Sequence, residues 1–289
     1  MKIINDKIAK SEMKAAIIRS GYLLESRVSS VLDRYDYFVE LNIVFQDPET
    51  KNCREIDLFA NYRGMHFVSK NSMIFISTSL IVECINNPQP IVYFANRAFN
   101  LNPLLQKIRF AALPPYTDKE DHFIDDIDFE EILYSGKAHL FTQYCSFSRK
   151  KKSGNNLKDE WMASHSDELY DTFKKLLQIT DFKMKELSDW YLKKQGRRKD
   201  ILAQCVFFQP VLIVQGEIYI AEGMKKSIKL RQAHRISFEF NYQYQHKDKA
   251  STIIIDVLSE KHLPAYLEII QNRANKIGTH IEKTRYLER

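Results

Sequence analysis

Two short stretches of this chain place acids inside segments that are otherwise patterned as apolar strands: Arg54-Glu55-Ile56-Asp57 and, about a hairpin's length further on, Leu80-Ile81-Val82-Glu83-Cys84-Ile85. A carboxylate taken out of water costs several kcal/mol unless it is paired, hydrogen-bonded or bound to a cation, so a fold that buries Glu83 must bring it a partner. Side chains alternate along a strand. Alternation puts Glu55 and Asp57 on one face with Ile56 and Leu58 on the other, and two neighbouring strands can then aim Asp57 and Glu83 at one point. Two carboxylates converging there suit Mg²⁺. The plainer alternative is that Glu83 pairs with Arg54 or Arg97 and does no chemistry.

The surrounding sequence supplies the elements that carry these acids. From Ser11 to about Tyr35, Met13, Ile17, Leu24, Val28 and Leu32 recur at helical spacing, with Gly21 in the same stripe, which predicts one long amphipathic helix. Glu25 lies one position past that stripe. Residues 37–45 read as a strand, and Asp47-Pro48-Glu49-Thr50-Lys51-Asn52 supplies the turn into the strand that carries Asp57. Extended segments at His66–Val68 and Met73–Ser77 follow, then Leu80–Ile85 and Ile91–Phe94 around a Pro-containing turn. Short strands separated by turn residues predict a mixed sheet. Pro103 near the start of a stretch through Leu104, Leu105, Ile108 and Phe110 predicts a helix that Pro114-Pro115 ends.

Beyond residue 115 the chain changes character. The acids between Asp118 and Glu131 lack the alternating ligands and central glycine of a calcium loop and read as a solvated connector. Arg149-Lys150-Lys151-Lys152-Ser153-Gly154-Asn155-Asn156 reads as an exposed basic loop. Leu157, Trp161, His165, Leu169, Phe173 and Leu176 mark one helical face, and Phe182, Leu187, Trp190 and Tyr191 a second, giving a helical pair in which His165 is a core residue rather than a ligand. The densest basic cluster, 193–199, follows. Val211–Val214 and Glu217–Ile220 across Gln215-Gly216 predict a tight hairpin. Strands at Ile236–Tyr244 and Thr252–Val257 come next, with Asp256 at a strand end, and a last helix runs around Leu263–Ala274 with Pro264 in its first turn.

Charge is divided unevenly between the halves. Residues 1–148 carry 16 Lys/Arg against 19 Asp/Glu, and residues 149–289 carry 27 against 18, so the halves are −3 and +9. A basic surface joined to an acidic site suits a protein that handles polyanions. The four cysteines, Cys53, Cys84, Cys145 and Cys205, form no CxxC pair and read as reduced, mostly buried thiols. No run of about 18 uninterrupted apolar residues occurs, and the first residues lack a signal-peptide core, so no membrane contact and a cytoplasmic location are expected. No GxSxG elbow, dinucleotide fingerprint or HExxH helix is present, which sets acyl-transfer and redox chemistry aside.

The series Gly21-Tyr22-Leu23-Leu24-Glu25 on a helix, Arg54-Glu55-Ile56-Asp57 on a strand, and Leu80-Ile81-Val82 leading into Glu83-Cys84-Ile85 resembles the PD-(D/E)XK nuclease superfamily over roughly residues 10 to 95. The resemblance implies an α/β fold with a mixed β-sheet core flanked by helices, restriction-endonuclease-like, with additional strands and the helical pair in the second half. It divides the chain into a nuclease-like core at 1–115, the acidic connector and helical pair at 116–200, and a β-rich segment with a C-terminal helix at 201–289. These are expected to pack as one composite domain. The same resemblance implies catalytic roles for Glu25, Asp57 and Glu83. Asp57 and Glu83 would be ligands of Mg²⁺ or Mn²⁺, and nucleic acid the partner. It departs from the family at Ile85, where the pattern calls for a lysine; Lys70 or Lys107 are the candidate replacements, and alternation points Asn86 to the opposite face. Two functions follow as expectations: metal-dependent phosphodiester hydrolysis of nucleic acid, or a catalytically inactive module that binds nucleic acid or a protein partner. A role in restriction or defence would be fold-level analogy alone.

Overall fold

A computed structural model describes residues 7–20, 22–69, 72–87, 89–94, 109–113, 140–150, 160–193, 201–223, 227–245 and 250–287. The predicted helix at Pro103–Ile108, the acidic connector, the tip of the basic loop and the cluster 194–199 lie outside them. Strands β1 (Phe38–Gln46), β2 (Cys53–Ser69) and β3 (Ser72–Ile85) form an antiparallel meander. β3 then pairs in parallel with β9 (Ile201–Val214) from the second half of the chain. The main sheet continues through β13 (Ser251–Ser259) and β12 (Arg235–Tyr242) to the short β6 (Leu140–Phe141), with β5 (Arg109–Leu113) also on β9. A second sheet runs β11 (Lys229–Ala233), β10 (Ile218–Glu222), β4 (Ile91–Phe94), β7 (Gln143–Lys150), β8 (Glu160–Ser164). Mixed α/β architecture with a mixed sheet is therefore observed, with four α-helices among the described residues.

Both faces of the main sheet are covered, as a sheet with parallel central strands requires. On one face Leu24, Val28 and Leu32 of α2 (Tyr22–Arg34) and Tyr266, Leu267 and Ile270 of α4 (Leu263–Leu287) pack on Leu58, Leu80, Val82 and Ile213. On the other, Leu169, Phe173, Leu176 and Leu177 of α3 (Asp167–Lys193) and the apolar side of the second sheet enclose Phe59, Ile81, Phe208 and Phe238. Each such fully buried side chain contributes about 1.5–3 kcal/mol. No described helix is long and apolar enough to cross a membrane.

Several elements depart from the periodicity reading. The long first helix is two: α1 (Lys10–Arg19) ends where the Ser20 hydroxyl donates to the Ile17 carbonyl at 2.8 Å, competing with the next helical hydrogen bond. Met13 and Ile17 are exposed on it, so only Leu24, Val28 and Leu32 of the predicted stripe reach the core. Phe110 lies in β5, not in a helix. Trp161 lies in β8, and the expected helical pair is one 27-residue helix, α3, begun by Ser166, whose Oγ accepts from the Leu169 amide, with Asp167 and Glu168 in the first turn. His165 sits exposed before that cap, its ring 4.9 Å from Tyr144, and is no core residue. The Val211–Ile220 hairpin does not form. Gln215-Gly216 instead carries the chain from the main sheet to the second, and Gly216 is needed because a Cβ there would lie 2.5 Å from the Asn87 carbonyl oxygen.

Pro210 sits inside β9 without breaking it, because it falls between two neighbours. β5 pairs as far as Phe208 and β13 begins at Val211. Asp256 is no strand-end residue. It is 2% exposed and accepts from Ser237 Oγ at 2.6 Å and Tyr266 OH at 2.9 Å, with Arg235 3.3 Å away. Among the described residues the cysteines are free thiols, with Cys145 and Cys205 buried.

Candidate active site

The main sheet opens at the acids. β2 and β3 pair from Leu58 opposite Val82 onward, so Asp57 and Glu83 stand one step past the last pair. Beyond that point β2 stays with β1, and β3 stays with β9. Side chains replace the missing ladder: the Cys84 amide donates to Asp57 Oδ2 at 2.7 Å, and the Asp57 amide to Glu83 Oε1 at 3.4 Å. Each carboxylate thus accepts a backbone N–H from the other's strand.

β1 is irregular at the same level. Its pairing with β2 runs from Leu41 opposite Leu58 to Ile43 opposite Ile56 and skips Asn42, which has φ 54°. Asparagine is among the few non-glycine residues that tolerate this left-handed conformation. Asp57 therefore falls in a gap of both ladders, and the chain turns over there. Ile56 packs in the core beneath α3, while Leu58 packs in the core beneath α2 and α4. Strict alternation had put these two isoleucine and leucine side chains on one face; the structure corrects that expectation.

Glu25, half-buried in the first turn of α2, and Glu55, exposed on β2, add negative charge to the same place. Burial raises the Glu25 carboxyl above its usual range, and the charges of Asp57 and Glu55 raise it further. Asp57 is raised by burial and by Glu55, opposed by the Cys84 hydrogen bond and by Lys175. Glu83 is pushed up to about 8 by burial and by Asp57. The only basic group whose charge reaches all three acids among the described residues is Lys175 of α3, with Nζ 2.5 Å from Glu83 Oε2.

Burial raises the carboxyl groups first and their mutual repulsion adds to it, and a single lysine offsets this only in part. Oxygen donors of this kind fit a hard divalent ion held by one or two carboxylates, with water and substrate phosphate completing its shell. Among the described residues, no three His, Cys, Asp or Glu side chains are arranged to hold a metal ion on their own.

Arg54, one of the two expected partners of Glu83, does not fill that role. Arg54 pairs with the buried Asp47 at 2.6 Å, and Arg97 lies outside the described residues, as do Lys70 and Lys107. Ile85 packs against the core beneath α3. The Asn86 amide donates to the Ile18 carbonyl at 3.4 Å, on the side of α1. Lys175 was missed because it lies more than ninety residues from Glu83 in sequence. Its signal is Lys174-Lys175 set inside the apolar stripe Leu169, Phe173, Leu176, where each lysine reaches a buried acid; Lys174 lies 3.0 Å from Glu49. No family of known proteins, no curated protein and no solved structure matches the chain.

The raised Glu83 carboxyl gives the free protein a pH signature. Its folded pKa lies above the ordinary 4.5, so the folded state holds an extra proton between about 4.5 and about 8. The associated stability is present below that window and is lost as the pH rises through it, by at most about 1.4 kcal/mol per unit. Glu83→Gln, which does not titrate, is expected to gain on the parent chain steadily from pH 5 to about 8 and to level off above that. Thermal melts across that range check this, and parallel curves for the two proteins would refute it.

Proposed function

We propose that the chain is a divergent nuclease-like hydrolase in which Asp57 and Glu83 hold Mg²⁺ or Mn²⁺ and Lys175 takes the place of the lysine that Ile85 displaces. The observation that carries this reading is Lys175 Nζ at 2.5 Å from Glu83, beside two acids that meet where the sheet splits. A bound divalent cation would supply Lewis-acid polarisation of the phosphodiester and an acidified water. Lys175, held by Glu83, stabilises the negative charge that develops on the phosphoryl oxygens. Glu25, with its raised carboxyl, accepts a hydrogen bond from water at the edge of the site. The uneven charge of the two halves supports a polyanionic substrate.

A second reading, an inactive nuclease-like module that binds nucleic acid or a protein, draws on one observation: Lys175 already pairs with Glu83, and among the described residues no three-acid cage stands ready. Incubating the protein with Mg²⁺ or Mn²⁺ and single- and double-stranded DNA and RNA separates the two. Cleavage lost in Asp57→Ala and in Glu83→Ala is the expected result. Cleavage unaffected by both substitutions rejects these roles, and salt-sensitive binding without any cleavage favours the inactive module.

A further inference from the structure

On the same face of the main sheet as Glu83, a cleft of about 1050 Å³ lies between the C-terminal half of α3 and a floor made by β1, β2, β3 and β9. Its residues continue the rows that carry the acids. Asn61 lies four positions beyond Asp57 on β2 and pairs across the ladder with Ser79, four positions from Glu83 on β3. Phe59, two positions from Asp57, also lines it, so the cleft begins about 7 Å from that acid along β2, and its Asn61–Ser79 pair lies about 13 Å away.

The lining joins aromatic faces to neutral polar groups. Phe38, the cross-strand partner of Asn61, is 67% exposed, and Trp190 of α3 is 47% exposed, so the sheet and the helix each contribute an accessible ring. The Ser79 hydroxyl donates to Asn61 Oδ1 at 2.6 Å, which turns the Asn61 amide nitrogen into a donor for a ligand. Lys183 lies over the Phe59 ring at 5.2 Å and pairs with Glu186 at 2.8 Å. Arg63 and Lys183 are offset by Asp36, Glu186 and Asp189, so attraction for phosphate alone does not fill this space. Flat aromatic faces beside an amide and hydroxyls suit a heterocyclic base.

We infer that this cleft seats the unpaired bases of a single-stranded segment of nucleic acid whose backbone leads to Asp57 and Glu83. The inference rests on the phosphodiester reading of the acids. A paired base keeps its faces inside the stack and offers the rings nothing, so the cleft selects single strands over duplex.

Equilibrium binding of the full chain, with chelator present to prevent cleavage, tests this with homopyrimidine single strands of DNA and of RNA and with the matching duplex. Single strands are expected to bind about tenfold or more tighter than duplex. Phe38→Ala and Trp190→Ala are each expected to weaken single-strand binding about five- to a hundred-fold, the range of one lost base stack. Phe38 is 67% exposed, so Phe38→Ala leaves the melting transition in place, and Phe38→Trp retains affinity. Equal affinity for duplex and single strand, unchanged affinity in both alanine variants, or no affinity for any nucleic acid overturns the inference. Cleft-dependent binding by a protein that never cleaves overturns the hydrolase reading and leaves the cleft standing. Cleavage that depends on Asp57 but ignores both aromatic substitutions does the reverse.

Discussion

Replacing Lys175 with alanine is expected to lower metal-dependent cleavage by about 10²–10³-fold while divalent-cation binding stays at least as tight as in the parent chain. In the proposed hydrolase the two effects separate because the lysine would play opposite parts toward cation and transition state. Its charge, 2.5 Å from Glu83, competes electrostatically with a cation for the acids, so removing it deepens the negative potential there. On that reading the same charge is what the phosphoryl oxygens would lack in the alanine variant as excess negative charge builds on them. Single-turnover cleavage at saturating Mg²⁺ and a calorimetric titration of the cation read the two separately. Lys175→Arg keeps the charge with a different reach and is expected to fall between parent and alanine variant. Tighter cation binding with undiminished cleavage would reduce Lys175 to a neutralising partner of Glu83.

Asp256→Ala is expected to destabilise the fold by about 3–5 kcal/mol, the loss associated with breaking a buried charge pair, and to leave cation binding unchanged. Alanine there strands the Ser237 hydroxyl and the hydroxyl of the fully buried Tyr266, and takes the carboxylate away from Arg235, which also stacks 5.0 Å from the Tyr266 ring. Asp256→Asn keeps an acceptor for the hydroxyls and is expected to be milder. The midpoint of denaturant unfolding measures both. A shift below about 1 kcal/mol for the alanine variant would show that the three partners find water or one another when the carboxylate is gone.

Asp256 and Glu83 show where sequence reading stops. Both follow apolar runs, Thr252–Ile255 and Leu80–Val82, and both are buried. Only their neighbours differ: Asp256 is ringed by donors from β12 and α4, whereas Glu83 meets another acid and a single lysine. Strands with local partners were legible, as in β1 with its Asp47 turn, where Asp47 Oδ1 accepts from the Glu49 and Thr50 amides. So were β12, β13 and the start of α4. The single helix α3 was not, because Trp161 and His165 happen to extend its apolar spacing backwards into β8. The turnover at Asp57 was not either. It arises where one ladder ends and another is interrupted at the same residue, a tertiary event that period-two counting cannot contain. Lys175 belongs to the same class, brought to Glu83 by the packing of α3 on the sheet.

The parallel pairing of β3 with β9, Ser77 opposite Val206 among others, joins residues more than a hundred positions apart. During synthesis, the meander that bears Asp57 and Glu83 leaves the ribosome with one side of β3 bare and waits for most of the remaining chain before that edge is closed. Such a nascent intermediate is a natural client for a chaperone, and a product truncated before residue 200 would expose the bare edge permanently and aggregate.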